Sequence, residues 1–126
     1  MTTTPATVNF SFHPGATFTG SVTLNDENGD PVDLTNYTAL MHIRREPSDE
    51  APLFVLSTTN TRIVLGGALG TISVEISADD TAEIDVDEDG ETWWYDLLMT
   101  NTTPTPDLVE RRLKGWVFAT YPITRA

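Results

Sequence analysis

Apolar and polar residues alternate with period two along most of this chain, and the alternation is clearest between residues 16 and 45. Phe18, Gly20, Val22 and Leu24 share one face, while Thr17, Thr19, Ser21, Thr23 and Asn25 share the other, the signature of a half-buried antiparallel strand. Tyr37, Ala39, Met41 and Ile43 alternate in the same way against Thr38, His42 and Arg44, with Leu40 out of phase. Between these runs stands Asp26-Glu27-Asn28-Gly29-Asp30, and Asn-Gly is the pair best suited to the positive φ of a tight turn. The pattern therefore predicts a hairpin over 16–45 as the centre of the fold. Pro31 cannot donate to a ladder, so pairing should resume only after it, past a second local turn in which Asp33 accepts from amides two residues on.

The same reading extends to both sides. Residues 1–6 are polar and predict an N-terminal arm, leaving one domain over 7–126, which begins with a short strand through Val8, Phe10 and Phe12. Residues 46–52, with two prolines and three acids, form a loop. Strands follow at Leu53–Ser57, at Thr61–Leu65 and, after a Gly66-Gly67 turn, through Ile72, Val74 and Ile76. Ser77 with Asp80 three residues on has the spacing of a helix cap, so Ala78–Ile84 predicts one or two helical turns over an end of the core. Trp93, Tyr95, Leu97 and Met99 alternate with Trp94, Asp96, Leu98 and Thr100. A long final strand, Leu108–Tyr121, places Val109, Leu113, Val117 and Ala119 on one face and Trp116 and Phe118 on the other. Gly115 marks a bulge or a close backbone approach there. About eight strands with one short capping helix, and no helical crossovers, predict an all-β, antiparallel Ig-like sandwich.

Composition narrows the possible functions. The 126 residues carry seven basic and nineteen acidic side chains, a formal charge of −12, so the summed field repels phosphate backbones and anionic lipid. Nucleic acid and membrane are thereby disfavoured as partners. The acids concentrate in Asp79, Asp80, Glu83, Asp85, Asp87, Glu88, Asp89 and Glu91, whereas Arg111, Arg112 and Lys114 form the basic cluster of the C-terminal half. A solvated acidic loop accounts for the first group, and head-to-tail docking of identical or neighbouring subunits accounts for both. Without cysteine there is no thiolate or disulfide framework, and two histidines do not complete a usual zinc site. Neither a secretory leader nor an apolar run of roughly 18 residues is present, which predicts synthesis and retention in the cytoplasm.

Catalytic patterns are missing: there is no nucleophile elbow and no phosphate-cradling glycine loop, and neither histidine has a partner nearby in sequence. No enzyme activity and no cofactor are expected. Asp96, between Tyr95 and Leu97, is the one acid in an apolar setting, but its phase turns it outward. Asp85-Val86-Asp87-Glu88-Asp89-Gly90 followed by Asp96 has the oxygen-ligand spacing of a calcium loop, with a strand where the exit helix should start. No metal is assigned, and an acidic hairpin tip is the simpler reading. Trp93 belongs to the core by phase. Trp94, Trp116 and Phe118 lie on the opposite phase and, with Arg111 and Arg112, are the candidate partner-binding residues, because aromatic and arginine anchors dominate protein contacts. A sugar-stacking platform is the alternative use of such tryptophans.

Two blocks of residues carry a resemblance. Pro14-Gly15-x-Thr17-Phe18, then Gly29-Asp30-Pro31-Val32-Asp33-Leu34-Thr35, Tyr37-Thr38 and Ile43-Arg44 form the first. Ile76-Ser77-Ala78-Asp79-Asp80-Thr81-Ala82, Tyr95-Asp96-Leu97, Arg111-Arg112-Leu113-x-Gly115 and Thr124-Arg125 form the second. Together the chain resembles small structural proteins of tailed-phage virions and is similar to the N-terminal Ig-like domain of phage baseplate upper proteins. The resemblance implies a non-enzymatic part of the virion, associated with portal, neck, tail or baseplate and bound to other virion proteins or to copies of itself in a symmetric arrangement. A capsid decoration protein is the alternative within that setting, and a carbohydrate-binding attachment module the alternative outside it.

Overall fold

A computed structural model describes residues 5–124. Among the described residues nine strands run in chain order: β1 (Ala6–Thr7), β2 (Phe10–Phe12), β3 (Phe18–Thr23), β4 (Tyr37–Arg44), β5 (Phe54–Ser57), β6 (Ile63–Leu65), β7 (Thr71–Ile76), β8 (Glu91–Asn101) and β9 (Leu108–Ala119). A 3-10 turn (Gly67–Leu69) links β6 to β7, and one turn of helix, α1 (Ala78–Thr81), precedes β8. The larger sheet has the order β1-β9-β8-β4-β5, with β2 also on β9; the smaller has the order β3-β7-β6. Pairing is antiparallel except for β1 and β2, which lie parallel to β9.

Period-two burial closes the two sheets on each other. Met41 and Ile43 of β4, Leu56 of β5, Ile72 and Ile76 of β7, and Trp93, Leu97 and Met99 of β8 are buried in one cluster with Phe12 and Phe18. Aromatic rings run through its middle, with Phe12 edge to face with Trp93 at 4.9 Å, the arrangement that ring quadrupoles favour, and tilted against Phe18 at 5.8 Å, centroid to centroid. Phe10 packs over Gly20, where a side-chain carbon would lie 2.4 Å from the ring. The all-β Ig-like sandwich read from the sequence is the fold of the chain, and the inward phases of β3, β4, β7 and β8 are as expected.

The central hairpin is a correction. β3 pairs with β7 and β4 pairs with β5 and β8, so the two runs belong to different sheets. The turn itself forms: Gly29 has φ +83°, Asp26 accepts from the amides of Asn28 (2.9 Å) and Asp30 (3.0 Å), and one isolated bridge joins Asn25 to Pro31. The Val32 amide still donates to the Leu24 carbonyl at 2.9 Å, and the pairing ends there. Leu34, fully buried, donates its amide to the Gly67 carbonyl at 2.9 Å, and Asp33 accepts from the Thr35 amide, which together carry the chain across to the other layer. Alternation specifies which face of a strand is buried and leaves its neighbour open.

Three smaller corrections concern the ends of elements. The arm was expected to reach residue 6, but Ala6 and Thr7 pair with Leu113 and Lys114, and residues 1–4 lie outside the described residues. The capping helix stops at Thr81, short of Ile84; Ser77 caps it by accepting from the Asp80 amide at 3.3 Å. Thr81 is buried and fastens the lid, donating to the Ala16 carbonyl (2.8 Å) and accepting from the Gly15 amide (3.1 Å). In β9 the register shifts opposite Leu97 and Leu98, leaving Arg112 as the extra residue. That bulge reverses the phase of what precedes it, so Val109 is exposed instead of sharing the Leu113 face, and the strand ends at Ala119. Gly115 is the close approach: a side-chain carbon there would sit 2.2 Å from the Val8 carbonyl oxygen. Among the described residues no helix is long and apolar enough to cross a membrane.

Candidate partner-binding face

Register assembles the outer face of the larger sheet from residues distant in sequence. Arg44 of β4 stands opposite Trp94 of β8, which stands opposite Trp116 of β9; the next row reads His42, Asp96, Lys114 and Thr7; the next reads Leu40, Leu98 and Arg111. Phe118, opposite Thr92, starts the row before them. These positions alternate with the buried Trp93, Tyr95 and Leu97, so a core on one side fixes their outward direction.

The expected aromatic residues meet. Trp94 and Trp116 lie edge to face at 5.7 Å and Trp116 and Phe118 at 6.2 Å, forming a row in which Trp94 is 38% and Phe118 46% exposed. Beside the tryptophans is a groove of about 750 Å³, bounded also by His42, Arg44, Asp96 and Lys114. Arg111 reaches it through an ion pair with Asp96 at 2.6 Å. Arg112 does not: from the bulge it pairs with Glu110 at 3.5 Å, and its side chain is only 14% exposed. Sequence spacing put it beside Arg111 in a straight strand. Arg44 was missed as a site residue, since its approach to Trp94 depends on the pairing of β4 with β8. In the groove it donates to His42 Nδ1 at 3.0 Å and to the Asp49 carbonyl at 2.8 Å.

Two further interactions position this face. Tyr95, just behind it, donates to the Val8 carbonyl at 2.5 Å; its burial pushes the phenol pKa up, so it stays a donor throughout the neutral range. Asn9 Oδ1 accepts from the Trp116 amide at 3.1 Å, filling the gap between β1 and β2.

The acidic segment is an ordered turn. Gly90, at φ +81°, donates to the Asp87 carbonyl (2.8 Å), and Val86 is buried beneath. Glu91 accepts from the Asp87 amide (2.9 Å), Trp93 Nε1 (3.0 Å) and Arg45 Nη1 (2.6 Å). Burial raises the Glu91 pKa, but those hydrogen bonds and the Arg45 charge outweigh it and hold the carboxyl below its ordinary range. Asp96, the last position of the calcium-like spacing, lies inside β8 and is paired with Arg111. Among the described residues no group of three or more His, Cys, Asp or Glu side chains is placed to hold a metal ion.

Comparison with known proteins extends the fold and stops there. No family model matches the chain, and no curated protein matches it. Among solved structures, the chain is similar to the extracellular domain of the voltage-gated sodium channel beta4 subunit, whose parallel homodimers were related to cell–cell adhesion. The identity is 12%, the TM-score 0.50, and 98% of each chain is covered. It is also superposable on Tim-1 at 13% identity and TM-score 0.39, over 98% of this chain and 100% of that one, a similarity too loose to carry an argument. At such identities the likeness defines the Ig-like sandwich alone.

Proposed function

We propose that the chain is a non-enzymatic structural component of a tailed-phage virion, associated with the portal, neck, tail or baseplate. It holds neighbouring virion proteins, or further copies of itself, through the outer face of β8 and β9 and through its sheet edges. The observation that carries this reading is the outward row of Trp94, Trp116 and Phe118, with Trp94 and Phe118 exposed and Trp116 half-buried between them, three large aromatics that the core does not use. The residue blocks similar to small virion proteins supply the setting. Self-association also occurs in the beta4 extracellular domain, a sandwich of the same kind. Val64 on edge strand β6 is exposed and suits strand addition, whereas on edge strand β5 Asn60 and Arg62 already occupy the Val55 carbonyl.

The test is incorporation of Trp116→Ala protein into particles, with circular dichroism of the free domain alongside. A folded variant that fails to incorporate supports the reading; a folded variant that incorporates normally removes it; an unfolded one returns Trp116 to the core. Mass spectrometry of separated heads and tails places the protein and decides between a tail or neck part and a capsid decoration protein. A carbohydrate-binding attachment module is the second reading, favoured by the polar groups of Asp96 and His42 beside the paired tryptophans. Glycan-array signal lost in Trp94→Ala would establish it.

A further inference from the structure

We infer that the occupant of the groove beside Trp94 and Trp116 is the acidic turn at 87–90 of a second copy of this chain, docked head to tail; this rests on the reading of the outer face as a partner surface. Charge complementarity is the argument. The ion pairs of the described residues join Arg45 to Glu91, Arg62 to Asp80, Arg111 to Asp96 and Arg112 to Glu110. Arg44 and Lys114, which bound the groove, have no carboxylate partner among them. With the groove's Asp96 paired to Arg111, these two cations without a carboxylate ion pair leave the groove locally positive in a chain of net charge −12, a site for an anionic group next to apolar rings.

The acidic turn has the complementary form. Asp87, Glu88 and Asp89 are all exposed, and none is taken up in an ion pair. Glu91 fixes the turn from inside through Asp87, Trp93 and Arg45, so three carboxylates are presented on a frame already ordered before contact, which lowers the entropy lost on docking. Asp87, Glu88 and Asp89 do not line their own groove, and its Lys114, opposite Asp96, lies farther along the strand. Glu91 is held opposite Ala119, and the five residues from there to Asp96 span about 17 Å of extended strand.

Because tip and groove are different surfaces, the contact is heterologous, and repetition produces a ring or a filament according to the rotation per step. Net repulsion between like-charged copies opposes it. Screening beyond roughly 8 Å at physiological salt leaves the local pairing to decide.

The experiment is sedimentation of the full chain at high micromolar to millimolar concentration, with two charge-swapped proteins: Lys114→Glu, and Glu88→Lys with Asp89→Lys. Wild type is expected to associate, and each swap alone to weaken association at least about tenfold. An equimolar mixture should recover it, since each protein's tip then matches the other's groove. The tip swap makes the chain less acidic, so association driven only by net charge would strengthen where this inference requires weakening. Circular dichroism checks folding, and Lys114→Gln, expected to weaken association partially, replaces Lys114→Glu if that variant unfolds. A wild type that stays monomeric, or a mixture no better than its components, overturns the inference. If Trp116→Ala still blocks incorporation into particles in that event, the groove takes a different protein and the proposed function stands.

Discussion

The two sheets present opposite chemistry to solvent. Outside the smaller sheet, Thr19 faces Glu75, Ser21 faces Ser73 and Thr23 faces Thr71, a mostly hydroxyl and acid surface with Val64 of edge strand β6 as its exposed apolar side chain. Outside the larger sheet, the equivalent positions hold Trp94, Trp116 and Phe118 with a charged groove. Both sheets bury the same kind of apolar face between them, so folding stability explains the inner residues of each and the outer residues of neither. The difference isolates what the fold does not require, and the aromatic face is the part that function must explain.

Adjacent tryptophans provide the sharpest way to break that comparison. Trp93→Ala, deleting a fully buried ring, is expected to cost about 3–5 kcal/mol in denaturant unfolding, whereas Trp94→Ala should cost the free domain less than about 1 kcal/mol. Equal losses would mean that the outer ring is structural. Next in size is Gly115→Ala, which forces a carbon against the Val8 carbonyl and should cost about 1–3 kcal/mol; an unchanged melting temperature would show that β1 is not held against β9 as described.

A pH-dependent effect follows for Glu91. Its folded pKa lies below the ordinary 4.5, so its ionised form adds stability that is complete above that value and is lost as pH falls through the folded pKa. Glu91→Gln is therefore expected to cost about 1–2 kcal/mol at neutral pH, with the gap to wild type closing in acid. A gap that persists in acid would assign the loss to packing. Smallest of all, Ser21→Ala or Ser73→Ala should change stability by less than about 0.5 kcal/mol and leave particle incorporation unaltered. A defect in incorporation would place a partner on the smaller sheet as well.

Strand faces were legible in the sequence because burial repeats every second residue, and this held even in β8, where Trp93 and Trp94 take opposite fates side by side. Pairing was not legible. The Asn28-Gly29 turn is real, yet the buried Leu34, bonded to Gly67, and the Asp33 turn take the chain into the other layer, a tertiary outcome that no local pattern encodes. β1 escaped notice because two polar-flanked residues carry no periodicity and are held by backbone bonds to β9. The proximity of the candidate residues was readable where one strand or one hairpin supplied them: Trp94, Trp116, Phe118 and Arg111. Arg44 needed the β4–β8 register, and Arg112 was displaced by a bulge whose phase reversal shows in Val109 only once the partner strand is known.

The residues of the two blocks singled out in the sequence have definite places in the fold. Thr81 ties the lid to residues 15 and 16, Asp33 turns the chain toward Thr35, and Gly115 admits the Val8 carbonyl. Thr81 and Asp33 hold the framework, whereas Arg44, Asp96, Arg111 and Gly115 of the same blocks line the groove beside Trp94 and Trp116, so framework and candidate face are built from one set of residues.

The parallel attachment of β1 and β2 to β9 has a mechanical consequence. Phe10, Ser11 and Phe12 match Val117, Phe118 and Ala119 in step, and the Thr120 amide adds a bond to the Phe12 carbonyl at 3.0 Å. Tension applied at the start of β1 and the end of β9 acts along two strands that point the same way, so it slides one past the other and loads their hydrogen bonds together. An antiparallel pair pulled at its open end would unzip one bond at a time. The sandwich is therefore braced against stretching along β9, and its rupture force measures the unfolding barrier and not the equilibrium stability.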